Sequence, residues 1–206
     1  MLNNPPLPTA PAVITSFHHT IWLSADGELE TLSTKDAAAR IRPDVQPFVC
    51  HARTVSQRLG LPAFDAYDLL ELFAFVRPAQ FTLPTPRGLA EAVGLPLPGT
   101  QEKEAESLFA VAKSLLSELS SCTDPSSSAI AWTMSRGGWA WGPSVLAMLD
   151  TTETKTSGKP ADALRIWNRL PEWQEQPPQV TPGNKPIDGS ESLARVIELR
   201  GRGAEN

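Results

Sequence analysis

From His19 to Ser24 and again from Glu28 to Ser33, apolar and polar residues alternate, and Ala25-Asp26-Gly27 lies between the two runs. Period-two alternation marks strands with one face against a core, and an Asp-Gly pair supplies the backbone geometry of a tight turn, so this stretch predicts a β-hairpin. Ser33 or Thr34 then caps a short helix, Lys-Asp-Ala-Ala-Ala-Arg-Ile, which the loop at Pro43 ends. Pro47 to Cys50 is a short apolar run preceded by turn residues and reads as a buried strand. A helix follows from Ala52 to Leu59, closed by Gly60.

Ala66 to Val76 is apolar nearly all round. Periodicity alone allows a strand entering a helix or one buried helix, and helix is favoured beyond Asp68, whose carboxylate suits a capping position. Thr85-Pro86 starts another helix, with a capping hydroxyl and a proline at the first position, and Gly94 stops it. Glu102 to Leu119 is the clearest amphipathic helix, with Ala105, Leu108, Phe109, Ala112, Leu115, Leu116 and Leu119 on one stripe. After a polar break at Ser120 to Ser128, Ala129 to Met134 and Pro143 to Leu149 read as helical.

Strands interleaved with helices predict an α/β domain over residues 13–150. The Pro- and Asn-rich residues 1–12 are expected to form a disordered leader, and residues 151–162 a linker. Residues 163–206 are expected to form a helical extension, with a short helix from Ala163 to Trp173, a proline-rich connection from Pro177 to Gly189 and a last helix from Ser190 to Arg200.

With 206 residues and 41% apolar content, the chain can bury one core of ordinary size. A formal charge of −5 and a pI near 5.2 argue against the whole chain being a nucleic-acid clamp, because phosphate binding needs concentrated Lys and Arg, and leave room only for a local patch. Cys50 and Cys122 are far apart and in no metal-ligand spacing, so both are read as reduced intracellular thiols. The first residues lack a signal-peptide pattern, and no run approaches the roughly 18 apolar residues of a membrane span, which leads us to expect a cytoplasmic protein with no membrane partner. No Gly-x-x-x-x-Gly-Lys-Ser/Thr loop is present; Ser157-Gly158-Lys159-Pro160 is too short, and Pro160 would spoil a helix start.

The order of parts from Pro47 to Pro98 carries a resemblance: a strand ending in His51, a helix to Gly60, an apolar segment bearing Asp68, a loop, and a helix from Thr85 to Val93. This stretch resembles a degenerate DnaQ-like 3′–5′ exonuclease domain of ribonuclease H fold. The wider chain, from Ile21 to about Trp173, resembles the N-terminal region of bacterial DinG-type, XPD-related ATP-dependent DNA helicases. The segments LLELFAFVRPAQF, TPRGLAEAVGLPLP, SRGGWAWGP and LRIWNRLPEW carry that wider likeness.

The resemblance implies an α/β, ribonuclease H-like core with added C-terminal helices. It also implies a helicase motor in the same or an adjacent chain as partner, a role in DNA repair, and ATP and Mg²⁺ as cofactors of the parent helicase, with no cofactor in this stretch. Active members of the exonuclease group carry an Asp-x-Glu pair on the first strand, an Asp after the second, and a His or Tyr with an Asp on a late helix. Two divalent ions about 3.5–4 Å apart perform the chemistry and need those clustered carboxylates.

In this chain Ile21, Trp22, Leu23 and Ser24 are placed at the first-strand position, and the Asp-x-Glu pair Asp26 and Glu28 falls on the hairpin turn. His51, Asp68 and Glu104 stand where the resemblance puts site residues and are read as a vestigial site. We therefore expect no catalytic residues and no bound metal, and a module that scaffolds the helicase or positions DNA. Two rivals stand beside it. One is an active metal-dependent exonuclease using Asp26, Glu28, Asp68 and Glu104, which would have to converge within about 5–6 Å of a common point. The other is a free-standing protein-interaction domain. Arg136, Trp139, Trp141, Trp167 and Trp173 are the candidate contacts to DNA, most naturally single-stranded, or to a neighbouring domain, since a cation among aromatic faces suits stacking on bases. The same residues also suit core packing.

Overall fold

The computed structural model describes residues 7–122 and 125–149, together with 190, 193, 194 and 196–198. The chain divides into two units, Met1–Trp173 and Gln174–Asn206. In the second unit the described residues are helical, and Leu193, Val196 and Ile197 share one helical stripe. The expected linker, the Ala163–Trp173 helix with Trp167 and Trp173, and the proline-rich connection lie outside the described residues.

The first unit is an α/β fold around a mixed five-stranded sheet of order β3-β2-β1-β4-β5. Strands β1 (Ala12–Thr15), β2 (Thr20–Leu23) and β3 (Leu29–Leu32) form an antiparallel meander; β4 (Phe48–Val49) runs parallel to β1, and β5 (Tyr67–Asp68) parallel to β4. The predicted hairpin is β2–β3, and Gly27 at its turn takes the left-handed φ of 89° that an L side chain resists. The central strand β1, however, precedes the segment assigned above to the first-strand position. Ala12–Thr15 is buried on both faces, so it shows no alternation, and only its neighbours in space reveal it as a strand. Ordered packing also begins before Val13: Ala10 is buried, Leu7 packs on the core, and the Pro11 carbonyl accepts from Phe48 N–H.

Side chains alternate across the sheet and separate two cores. Ala12, Ile14, Ile21, Leu23, Phe48 and Cys50 point to one face, and Val13, Trp22 and Val49 to the other. The second face is covered by α1 (Thr34–Arg40) and α2 (Ala52–Leu59), through Ala37, Val55 and Leu59. Ser33 caps α1 and Gly60, at φ 68°, closes α2, both at the predicted positions. The first face carries the larger core, built by α3 (Leu69–Val76), α4 (Pro86–Ala92), α5 (Gln101–Leu119), α6 (Pro125–Arg136) and α7 (Gly142–Met148).

Helix α5 lies across β1, β2 and β4, as its apolar stripe requires: Ala105, Leu108, Ala112, Leu115, Leu116 and Leu119 are buried, and Phe109 meets the Phe48 ring edge-on at 4.9 Å. Arg77, the residue ending α3, ties the helical layer together. Its guanidinium makes two hydrogen bonds to Glu118 on α5 and a third to the Ala92 carbonyl at the end of α4. Helices α6 and α7 approach closely because Gly142 lacks a side chain; a Cβ there would lie 2.4 Å from the Ser135 Cβ.

Candidate functional site

The parallel pairing brings the carboxyl ends of β1, β4 and β5 to one edge of the sheet. Ala12 pairs with Phe48 and Val49 with Asp68, so Thr15, His51 and Asp68 follow one another along that edge. The carboxyl edge of parallel strands is where open α/β sheets leave room for ligands. Two clefts open there, one on each side of the His51 turn.

The first cleft, about 320 Å³, is lined by the end of β1 at Thr15, Ser16 and Phe17, by Cys50 and His51 after β4, by Arg58 on α2, by Thr85 and Pro86 at the start of α4, and by Gln101 and Glu104 on α5. His51 precedes α2, and its Nδ1 lies 2.8 Å from the Thr54 hydroxyl, so the ring is held by a side chain of its own helix. His19, from the β1–β2 turn, reaches α5 with Nε2 2.6 Å from Gln101 Oε1. Arg58 donates from Nη1 to the Thr15 carbonyl and stands 5.6 Å from the centre of the Phe17 ring, which is 87% exposed. Opposite one another in the register, Thr15 and Thr20 bury hydroxyls with no hydrogen-bond partner.

Cys50 is buried at the base of this cleft, and its thiol is pushed up to about 12 by burial first and by the nearby Asp68 and Glu104 charges second. A thiol held protonated in this way is no nucleophile at neutral pH. Glu104 is also held above the usual carboxylate range by desolvation, which the Arg87 charge only partly offsets.

Asp68 stands beside this cleft but faces away from it. Its carboxylate accepts from Ala52 N–H at 2.7 Å and from Leu70 N–H at 2.9 Å, with a longer contact to Glu71 N–H at 3.4 Å. It thereby caps α3, as expected, and also holds the start of α2. Burial outweighs these bonds and moves its pKa up.

The second cleft, about 400 Å³, lies between Asp68 and Glu71 on one side and the turn from Gly137 to Ala140 on the other, with Phe64 and Asp65 at its edge. Trp139 Nε1 donates to Glu71 at 3.2 Å, and its ring packs on Phe75 with centroids 5.1 Å apart. Glu71 is exposed over much of its surface, but its carboxyl end under the indole is desolvated, which raises its pKa, with Asp68 adding to the shift. Trp141 is fully buried: it packs against Phe48 and Tyr67 and donates from Nε1 to the Asp68 carbonyl at 2.7 Å. This corrects its placement among base-stacking residues, because a ring with no exposed face cannot stack on a ligand. Trp139 keeps part of its surface open and Arg136 is exposed, but the turn faces carboxylates that repel phosphate.

The rival acidic set does not converge. Leu23 pairs with Ala12, so the β2–β3 turn bearing Asp26 and Glu28 lies at the amino end of β1, whereas Glu104 lines the cleft at its carboxyl end beside Thr15. Asp26 and Glu28 are solvent-exposed, and the Glu28 backbone N–H bonds to Ser24 Oγ. A pair of divalent ions does not fit the donors at the first cleft, where Glu104 is the one carboxylate among the described lining residues. Among the described residues no group of three or more His, Cys, Asp and Glu side chains is arranged to hold a metal ion. The residues that sequence reasoning missed are Thr15, Ser16, Phe17, Arg58 and Gln101, whose shared cleft depends on identifying β1.

The raised carboxyls carry a pH signature. A carboxyl with a higher pKa folded than unfolded makes the native state bind more protons, so Asp68, Glu71 and Glu104 contribute stability that is complete below their unfolded values and lost as pH rises through their folded ones. Glu30 and Glu102 shift downward and act the other way, but both are exposed and screened. The expected result is a melting temperature that falls as pH rises from the ordinary carboxylate range towards neutrality, with the fall reduced in Glu71→Gln. Equal melting temperatures across that range for the parent chain would contradict it.

Compared with protein-family models, with curated proteins and with solved structures, the chain matches none. Among the described residues no helix is long and apolar enough to cross a membrane.

Proposed function

We propose that the first unit is a ribonuclease H-like domain, degenerate as an exonuclease, that positions single-stranded DNA for an ATP-dependent helicase motor of the DinG type without catalysing a reaction itself. The observation that carries this reading is the first cleft. It lies at the carboxyl ends of β1 and β4, beside the His51 turn and under the helix bearing Glu104, and contains one carboxylate in a lining otherwise of hydroxyls, His51, Gln101, Arg58 and apolar groups. Two-metal phosphodiester cleavage requires a cluster of acids to hold its ions, and one partly desolvated Glu104 does not make one.

The order of parts supports the ribonuclease H-like reading: strand, His51, helix, strand with Asp68, the helix it caps, a loop, a short helix, then a long helix with Glu104. The helicase motor as partner, and its ATP and Mg²⁺, rest on the resemblance of the segments quoted above. The DNA-positioning role moves from the Trp139–Trp141 segment to the first cleft, where Phe17 offers an open ring beside Arg58.

The test is degradation of a labelled single strand by the purified chain with Mg²⁺ or Mn²⁺, beside Glu104→Ala. No loss of label is expected from either protein. Metal-dependent loss that the substitution abolishes would replace this reading with the active nuclease.

A further inference from the structure

We infer that the first cleft holds a single-stranded DNA end without a divalent ion, with Arg58 supplying the positive charge and Phe17 the stacking surface. The inference rests on the DNA-positioning reading and specifies how the cleft would perform it.

Phosphate carries negative charge into any site that binds it, so the site must supply cations, donors or metal ions. Metal ions lack the clustered carboxylates that would hold them in this cleft. A donor is present in their place, the Arg58 guanidinium on the cleft wall.

Arg58 is anchored at one corner by the Thr15 carbonyl and remains exposed, so its other N–H groups are oriented yet reachable. It also stands over Phe17, the most exposed large apolar side chain among the described residues of the first unit. An arginine paired with an open aromatic ring provides a base-stacking face and a phosphate donor a few ångströms apart.

Glu104 opposes an anion while charged. In a metal site it would be the residue that binding depends on most; in a metal-free site its removal favours binding. The two mechanisms therefore predict opposite signs for one substitution.

The experiment is fluorescence anisotropy of a short thymidine strand, labelled at its 5′ end, titrated with the full 206-residue chain in EDTA and in Mg²⁺. The expected result is equal affinity in both buffers, weakened about tenfold by Arg58→Gln, the loss of one charge-assisted hydrogen bond. Phe17→Ala weakens binding by a similar factor, and Glu104→Gln tightens it. Melting curves confirm that each variant is folded. Binding that requires Mg²⁺ and collapses in Glu104→Gln would overturn the metal-free inference and leave the DNA-positioning reading standing. Absence of binding in both buffers would overturn both.

Discussion

Replacing Trp141 with alanine is expected to destabilise the first unit by about 3–5 kcal/mol, the usual cost of emptying a large aromatic site in a packed core. The indole is fully buried at the meeting of α7 with the sheet, 5.5 Å from the Phe48 ring centre and 5.2 Å from that of Tyr67. It also satisfies the Asp68 carbonyl, so truncation adds an orphaned acceptor to the cavity. Trp141→Phe separates the two effects: it keeps most of the apolar volume, loses the N–H, and should cost about 1–2 kcal/mol. The midpoint of urea unfolding measures both. A Trp141→Ala chain as stable as the parent would mean that this tryptophan is not a core residue.

Asp68→Ala is the second large effect, at about 2–4 kcal/mol. The carboxylate satisfies backbone N–H groups at the starts of two helices, Ala52 of α2 and Leu70 of α3; alanine strands the Ala52 N–H and leaves Leu70 N–H only its longer bond to the Cys50 carbonyl at 3.2 Å. Losing the cap of α3 accounts for about 1 kcal/mol, and stranding the Ala52 donor for the rest. Asp68→Asn keeps one acceptor and removes a charge that burial disfavours, but its NH2 cannot accept from the second helix start, so it should recover only part of the alanine loss. A parent-like stability for Asp68→Asn would show that the site does not need both oxygens as acceptors. Because His51 sits at the start of α2, the alanine variant should also loosen the first cleft.

Local chemistry makes much of the fold legible in the sequence. Ser33, Gly60, Asp68 and Thr85 each cap or close a helix at the position their side chains or backbone freedom favour. The Asp26-Gly27 turn and the stripe on α5 are equally readable, because a turn, a cap and a helical period are set by residues a few positions apart.

Four residues, Ala12–Thr15, do not declare themselves as the central strand, because a strand buried on both faces has no period to read. From that strand everything about the cleft follows. Its pairing with β4 sets Thr15 beside His51, and its pairing with β2 sends Asp26 and Glu28 to the far end of the sheet. Trp139 and Trp141 look alike in sequence, yet one reaches a surface cleft and the other the core, since the turn into α7 separates their directions. Sequence alone thus determined the hairpin, most of the helices and their caps, whose causes are local. Only the tertiary structure decided which strand is central and which side chains share a cleft, because strand pairing joins residues that no local pattern connects.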